Sequence, residues 1–309
     1  MSLSKPTNGN GKIRPAFSAP WFYCHLTTFQ AGTAVVFTTF LVTHLSATAL
    51  ATVGGIELTN KTIVLGRVYY QNKFLEPVVV FGSLWGHVLA GIAKGIIRMY
   101  WKRKARDYRK LTGDVHEKVE KIITDETNDE GKVVRQKITT RITTTTTESH
   151  ISRAIGLILP YHREAGYILI PLVLTHAFIS RALPRRHFGD SSLINATYIT
   201  LALKKWPRST YLALTALVTL GVFHAVSGAP AVFRILKSVL FKNGEKPPVV
   251  SEAARKRQRI IRNGVIVSTV GLLTAGILVL GGKIGRDNIR IPLRTEYLKV
   301  YGQIYPKSW

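Results

Sequence analysis

Long, nearly uninterrupted apolar runs separated by strongly polar stretches dominate the chain. Five windows stand out: Ala31 to Val53, Pro77 to Ile97, Ala165 to Leu183, Thr210 to Val232 and Gly264 to Ile284. About 20 residues at ~1.5 Å rise cross a hydrocarbon core of roughly 30 Å, so each window predicts one transmembrane helix. Barrel strands are excluded, because the windows are continuously apolar and too long for the alternating segments of a barrel. Trp21, Phe22 and Tyr23 before the first window, Tyr100 and Trp101 after the second and Trp206 before the fourth are interfacial anchors. The fold class read from this pattern is an all-α membrane protein with five transmembrane helices.

An odd number of spans puts the termini on opposite sides. The segments on the N-terminal side carry 27 Lys and Arg against 15 on the other, with Arg181 and Lys283 counted alongside the segments they adjoin. That bias, strongest in the run 98–106, places the N-terminus in the cytosol. The expected organisation is a cytosolic tail at 1–30, a first transmembrane hairpin at 31–97, and a basic, Thr-rich cytosolic loop at 98–164. A second hairpin at 165–232, a basic cytosolic linker at 233–263, a fifth span at 264–284 and an exofacial C-terminal tail at 285–309 complete it. Within the first cytosolic loop, β-branched runs at 119–125 and 132–138 flank ThrAsnAspGluGly at 127–131 and predict a β-hairpin. The basic run ArgLysArgGlnArg at 255–259 suits contact with anionic phospholipid headgroups or serves simply to orient the fifth span.

Composition sharpens this picture. The 309 residues hold 43 Lys and Arg against 17 Asp and Glu, a formal charge of +26, yet 46% are hydrophobic. A basic chain this apolar is a bilayer protein, and no nucleic-acid partner is expected. With a single cysteine, Cys24, disulfide frameworks, Cys-based zinc sites and iron–sulfur clusters are excluded. There is no Gly-rich phosphate loop or Ser/His/Asp order, so nothing argues for a hydrolase or kinase. Positions 1–28 lack acids, as mitochondrial presequences do, but Pro6, Pro15 and Pro20 break an amphipathic helix and predict a retained N-terminus.

Spans one and two repeat as spans three and four. GlnAlaGly at 30–32 with LeuValThrHis at 41–44 parallels GluAlaGly at 164–166 with LeuThrHis at 174–176, and HisValLeuAlaGly at 87–91 parallels HisAlaValSerGly at 224–228. Two duplicated helical hairpins predict a four-helix bundle with the fifth span added. Each of the four helices carries one histidine, His44, His87, His176 and His224, at roughly 15–21 Å from the cytosolic ends, which predicts a single layer near the midplane.

Ionisable side chains at that depth face the bundle interior and are functional candidates. Imidazoles without nearby Cys or carboxylate suit b-type haem held by axial histidines on different helices, one haem or two. Gly91 and Gly228, one turn from His87 and His224, are candidates to admit a porphyrin edge. Arg67, Tyr70 and Lys73 in the first exofacial loop, and Lys204, Lys205 and Arg208 in the second, are candidate propionate partners. The competing reading is that the histidines and the small residues beside them only knit helices together.

ThrHisLeuSer at 43–46, GlyArgValTyrTyrGln at 66–71, GlyHisValLeuAlaGly at 86–91 and the lone fifth span give the chain a resemblance. Residues 21–285 resemble the fungal five-span Mdm-ten-complementing proteins of the mitochondrial outer membrane, whose transmembrane domain is similar to the haem-binding membrane anchors of succinate dehydrogenase. The resemblance implies mitochondrial lipid homeostasis, a contact-site role with a bridge-like lipid-transfer protein recruited on the cytosolic side, and association with phospholipid scrambling. The recruiting motif it implies has one candidate here, ArgProAlaPheSerAlaPro at 14–20, without a Pro-x-Pro spacing. A b-type cytochrome subunit in electron transfer and a haem-free scaffold or phospholipid scramblase are the alternatives. For scrambling, Lys94 with Thr38, Thr39, Thr43, Ser46, Thr215 and Thr219 would line a polar groove, unless those hydroxyls bond within their own helices.

Overall fold

A computed structural model describes residues 20–126, 150–190, 193–240, 251–284 and 291–305. Among these residues the chain is helical, with no strand. Five helices are long and apolar enough to cross a membrane, and their large apolar side chains point outward: Leu212 is 73%, Phe233 71% and Val267 72% exposed. Such a surface is stable only against lipid.

The first helix, α1, runs Pro20–Tyr70 but is broken at Gly54 and Gly55. Gly55 has φ +57° and ψ −149°, a conformation open to glycine alone. The break folds the second half of α1 back along the first, bringing the Phe40 and Tyr70 rings to 5.0 Å and Thr43 against Gly66. The segment expected as an exofacial loop is therefore a helix laid on the bundle.

After a π-helical segment Glu76–Gly82 comes α2, Ser83–Glu126. Its length corrects two expectations. The helix continues well beyond the membrane instead of ending at residue 97, and residues 119–125 are helical, not the first arm of a β-hairpin. Strong helix formers such as Glu117, Lys118, Glu120 and Lys121 outweigh the β-branched residues there. The second arm, 132–138, lies outside the described residues, as do the Thr tract and the 14–20 motif.

Helix α3 spans His150–Ala177, followed by a π-helical segment Phe178–Ala182 and the short α4, Leu183–Phe188. Pro184 has no N–H to offer the Ser180 carbonyl and crowds it, which accounts for the wider turns just before it. Helix α5 is Ala196–Lys205, α6 is Pro207–Leu240, α7 is Glu252–Leu280 and α8 is Arg294–Tyr301. Ser251 caps α7, its hydroxyl accepting from the Ala254 N–H at 3.3 Å.

The four repeat helices form a ring. Helix α1 packs on α2 and α6, α3 packs on α6, and α7 fills the outside of the α1–α6 edge. The α2–α3 side is the loosest of the four. Between α1, α6 and α7 lies one apolar core, with Ala51, Val222, Leu273, Ile277 and Leu280 buried. Gly276 lets α7 touch the Thr48 backbone of α1 directly.

A second core caps the end of the bundle away from Pro20, the start of α1. Tyr198, Leu201, Tyr297, Val300 and Tyr301 pack with Leu183 and Ile194. The buried hydroxyls are satisfied: Tyr198 donates to Ile179 O at 3.0 Å, Tyr297 to Leu193 O at 2.8 Å and Tyr301 to Tyr198 O at 3.1 Å. Burial raises the pKa of all three phenols, so they stay neutral donors. Residues 294–305, expected as part of a tail, instead close this cap.

Candidate functional site

The four repeat-related histidines meet across the ring in two pairs. His44 of α1 and His176 of α3 have ring centroids 5.9 Å apart with planes at 67°. His87 of α2 and His224 of α6 are also 5.9 Å apart, at 90°.

The expected single layer is corrected to two levels. His87 lies against Gln30 and His224 against His162, while His44 and His176 sit four turns further along the helices that carry Gln30 and His162. At ~1.5 Å per residue the steps from Gln30 to His44 and from His162 to His176 put the levels roughly 21 Å apart. Counting depth from the helix ends failed because Gln30, used as an end marker, is itself a neighbour of His87.

The lower level is built by matched contacts. His87 Nδ1 lies 3.2 Å from Gln30 O, and His224 Nδ1 lies 2.9 Å from His162 O. A carbonyl only accepts, so each Nδ1 carries the proton and each Nε2 keeps its lone pair, the state that metal-ligating histidines adopt. The true register of the repeat therefore equates Gln30 with His162, not with Glu164; the interval from Gln30 to His44 then equals that from His162 to His176, without a gap.

Gly91 and Gly228 have a role other than admitting a porphyrin edge. A Cβ at Gly91 would come 2.9 Å from Gln30 Nε2, and one at Gly228 would come 2.8 Å from His162 Cε1. They make room for the residues whose carbonyls orient the histidines. His162 itself stacks on His224, 4.2 Å between centroids and 8° between planes. Sequence reasoning left His162 unassigned, although its spacing to His176, the same as that of Gln30 to His44, was visible. Lys94 donates to Gln30 Oε1 at 3.0 Å and lies over the Tyr23 ring at 5.3 Å, and Gln30 Nε2 returns a bond to His87 O at 3.4 Å.

At the upper level Phe40 stacks on His44 at 5.3 Å and meets Tyr70, which ties the folded-back half of α1 to this pair. The cations named from sequence lie apart. Arg67 donates to the Ile194 carbonyl. Lys73 lines a cavity of about 320 Å³ near that capped end, and Lys204, Lys205 and Arg208 are exposed at the α5–α6 corner.

Paired imidazoles have the donor chemistry of b-type haem ligands. Two imidazoles on opposite faces of an iron at bonds of about 2 Å have ring centres roughly 6 Å apart. Both pairs meet that separation, and in the lower pair each Nδ1 is committed to a backbone carbonyl. Among the described residues no group of three or more His, Cys, Asp or Glu is placed to hold a bare metal ion. The hydroxyl groove has less support: Thr38, Thr39, Thr43 and Ser46 all donate to carbonyls of the preceding turn in α1.

Residues 171–286 match the family model described as the transmembrane domain of MDM10-complementing protein 1. The match covers a little over a third of the chain, including His176, His224 and the fifth span. Neither a curated protein nor a solved structure matches the chain.

Proposed function

We propose that this integral membrane protein, whose residues 171–286 are similar to the transmembrane domain of MDM10-complementing protein 1, holds b-type haem between paired histidines and serves lipid homeostasis at the mitochondrial outer membrane. The observation that carries the haem reading is the lower pair, with both Nδ1 atoms committed to backbone carbonyls and ring centres 5.9 Å apart. His87 and His224 would hold one haem, and His44 and His176 a second. Bound haem supplies a one-electron redox centre. The protein's part is to fix the imidazole tautomers through Gln30 and His162 and to exclude water with the surrounding apolar helices.

The lipid role and the mitochondrial assignment rest on the similarity of residues 171–286 to a family whose name ties it to MDM10. The cytosolic orientation of the N-terminus rests on the charge bias, and the long basic extension of α2 offers a cytosolic surface for a bridge-like lipid-transfer protein. A second reading, a haem-free scaffold, is favoured by Gln30 and His162 filling the space over Gly91 and Gly228. An absorption spectrum of the purified full chain separates them. Haem gives a Soret band with reduced α and β bands, and pyridine haemochrome titration counts one haem or two per chain. A colourless protein from haem-replete cells leaves the scaffold.

A further inference from the structure

Outside the histidine pairs, the feature with most unexplained chemistry is the cavity at the α2–α3 seam. Lys73, Glu76, Arg181, Arg185 and Asp190 supply its charged lining, and it encloses about 320 Å³. It sits where the two π-helical segments face each other, and such segments occur frequently at functional sites. Arg181 clamps Glu76 across the seam with two bonds, Nε donating to Oε1 at 2.7 Å and the second guanidinium nitrogen to Oε2, both side chains mostly buried.

The clamp bridges the loosest side of the helix ring, between spans two and three. The cations Lys73, Arg181 and Arg185 outnumber the carboxylates Glu76 and Asp190, Arg67 lies close enough to Asp190 and Arg181 to add to the positive field, and Lys73 and Arg185 are both exposed. On the lipid side of the same segments stand large apolar side chains, Phe74 at 77%, Val78 at 66% and Phe178 at 51% exposed. A net positive cavity with two exposed cations, beside an apolar surface, matches an anionic phosphodiester carrying acyl chains.

We propose that this cavity binds the phosphodiester of an exofacial-leaflet glycerophospholipid, with Lys73 and Arg185 on the phosphate and the acyl chains along Phe74, Val78 and Phe178. The proposal deepens the lipid part of the proposed function and does not depend on the haem part. Arg181 is the positioning residue, since it is already paired and fixes the two helix segments that shape the site.

The test is photo-crosslinking of the full chain in vesicles doped with acyl-diazirine phosphatidylglycerol, whose phosphodiester is its only charge. Peptides containing Phe74, Val78 and Phe178 are labelled in the wild type. Lys73→Ala with Arg185→Ala lowers that labelling about tenfold, as expected for losing two charge-assisted contacts. The pair Lys73→Arg with Arg185→Lys retains it, and Lys283→Ala, on the same exofacial side, leaves it unchanged. Both alanine sites are exposed, so the variant keeps its gel-filtration profile. Labelling that ignores the double substitution, or that falls equally in Lys283→Ala, overturns the proposal. Protection by inorganic phosphate in the medium as complete as by unlabelled lipid overturns it in favour of a soluble phosphate site. Loss of the Soret band in the double variant with labelling intact overturns it in favour of haem propionates. Absence of a Soret band in wild type, with labelling as expected, leaves this site standing and removes only the haem reading.

Discussion

Gly276→Ala tests the packing of the fifth span most directly. The added Cβ would overlap the Thr48 carbonyl oxygen of α1 and come 2.9 Å from its carbon and 3.2 Å from Thr48 Cγ2. A backbone carbonyl inside a helix cannot rotate away, so α7 must retreat by about 1.5 Å to restore ordinary contact at 3.4 Å. That retreat loosens Leu273, Ile277 and Leu280, which are 2%, 4% and 4% exposed. Helices in lipid are held by van der Waals contact, so the loss is not offset by hydrophobic burial elsewhere. Overpacking of this kind costs about 1–3 kcal/mol, and a backbone obstacle puts it near about 3 kcal/mol. At roughly 2–4 °C per kcal/mol for a chain of this order, the midpoint falls by about 6–12 °C. Gly271→Ala on the same helix is the reference: a Cβ there meets nothing within 4 Å, and helix propensity alone favours Ala by about 0.8–1 kcal/mol. Fluorescence-detected gel filtration after stepped heating in detergent reads both. Equal midpoints for the two variants would refute direct backbone contact between α1 and α7.

Alanine at His87 or His224 abolishes the haem of the lower pair, read as a halved or lost Soret band, while His116→Ala in the extramembrane part of α2 leaves the spectrum intact; full haem in both lower-pair variants sinks that ligand assignment. Tyr297→Phe removes the bond from the buried Tyr297 phenol to the Leu193 carbonyl at 2.8 Å, costing about 1 kcal/mol and lowering the midpoint by about 2–4 °C without changing any spectrum. The sequons at Asn60 and Asn195 stay bare on native protein by mass spectrometry. Both side chains are in use, Asn60 accepting from the Ala196 N–H and Asn195 from the Thr197 N–H, each at 2.9 Å. A glycosidase-sensitive mass shift contradicts both this packing and a mitochondrial location.

The five spans were legible because a bilayer demands a long apolar window, and nothing soluble supplies five of them. Their ends were not, because a helix does not stop where the lipid does: α2 runs on through Lys and Glu residues that favour helix equally in water. The folding back of α1 was signalled only by the pair Gly54–Gly55 at the edge of the first window, a local feature that an average over the whole window hides. The cap was signalled by Tyr297, Tyr301 and Tyr305, each about one helical turn from the next, in a segment too short to count as a span. Among site residues, the histidines declared themselves by being ionisable within apolar runs. Gln30 acts through its backbone carbonyl, which no side-chain pattern reports, and Arg181 and Glu76 meet only because distant segments are brought together by the ring.

Each histidine pair joins a residue to its own counterpart in the other half of the chain, His44 to His176 and His87 to His224, across the diagonals of the ring. Equivalent residues that touch must straddle the pseudo-twofold axis relating the two halves, and since both hairpins start from the same side, that axis runs along the membrane normal. Both pairs thus lie on one line through the centre of the bundle. Neither half can form such a cross-axis pair alone: each hairpin supplies one partner at each level, His162 being an added neighbour of His224 within the second hairpin, and only a homodimer of hairpins would complete the two sites. Fusion into one chain frees the halves to diverge off the axis, as Gln30 has from His162 and Lys94 from Ala231, while the on-axis residues stay matched.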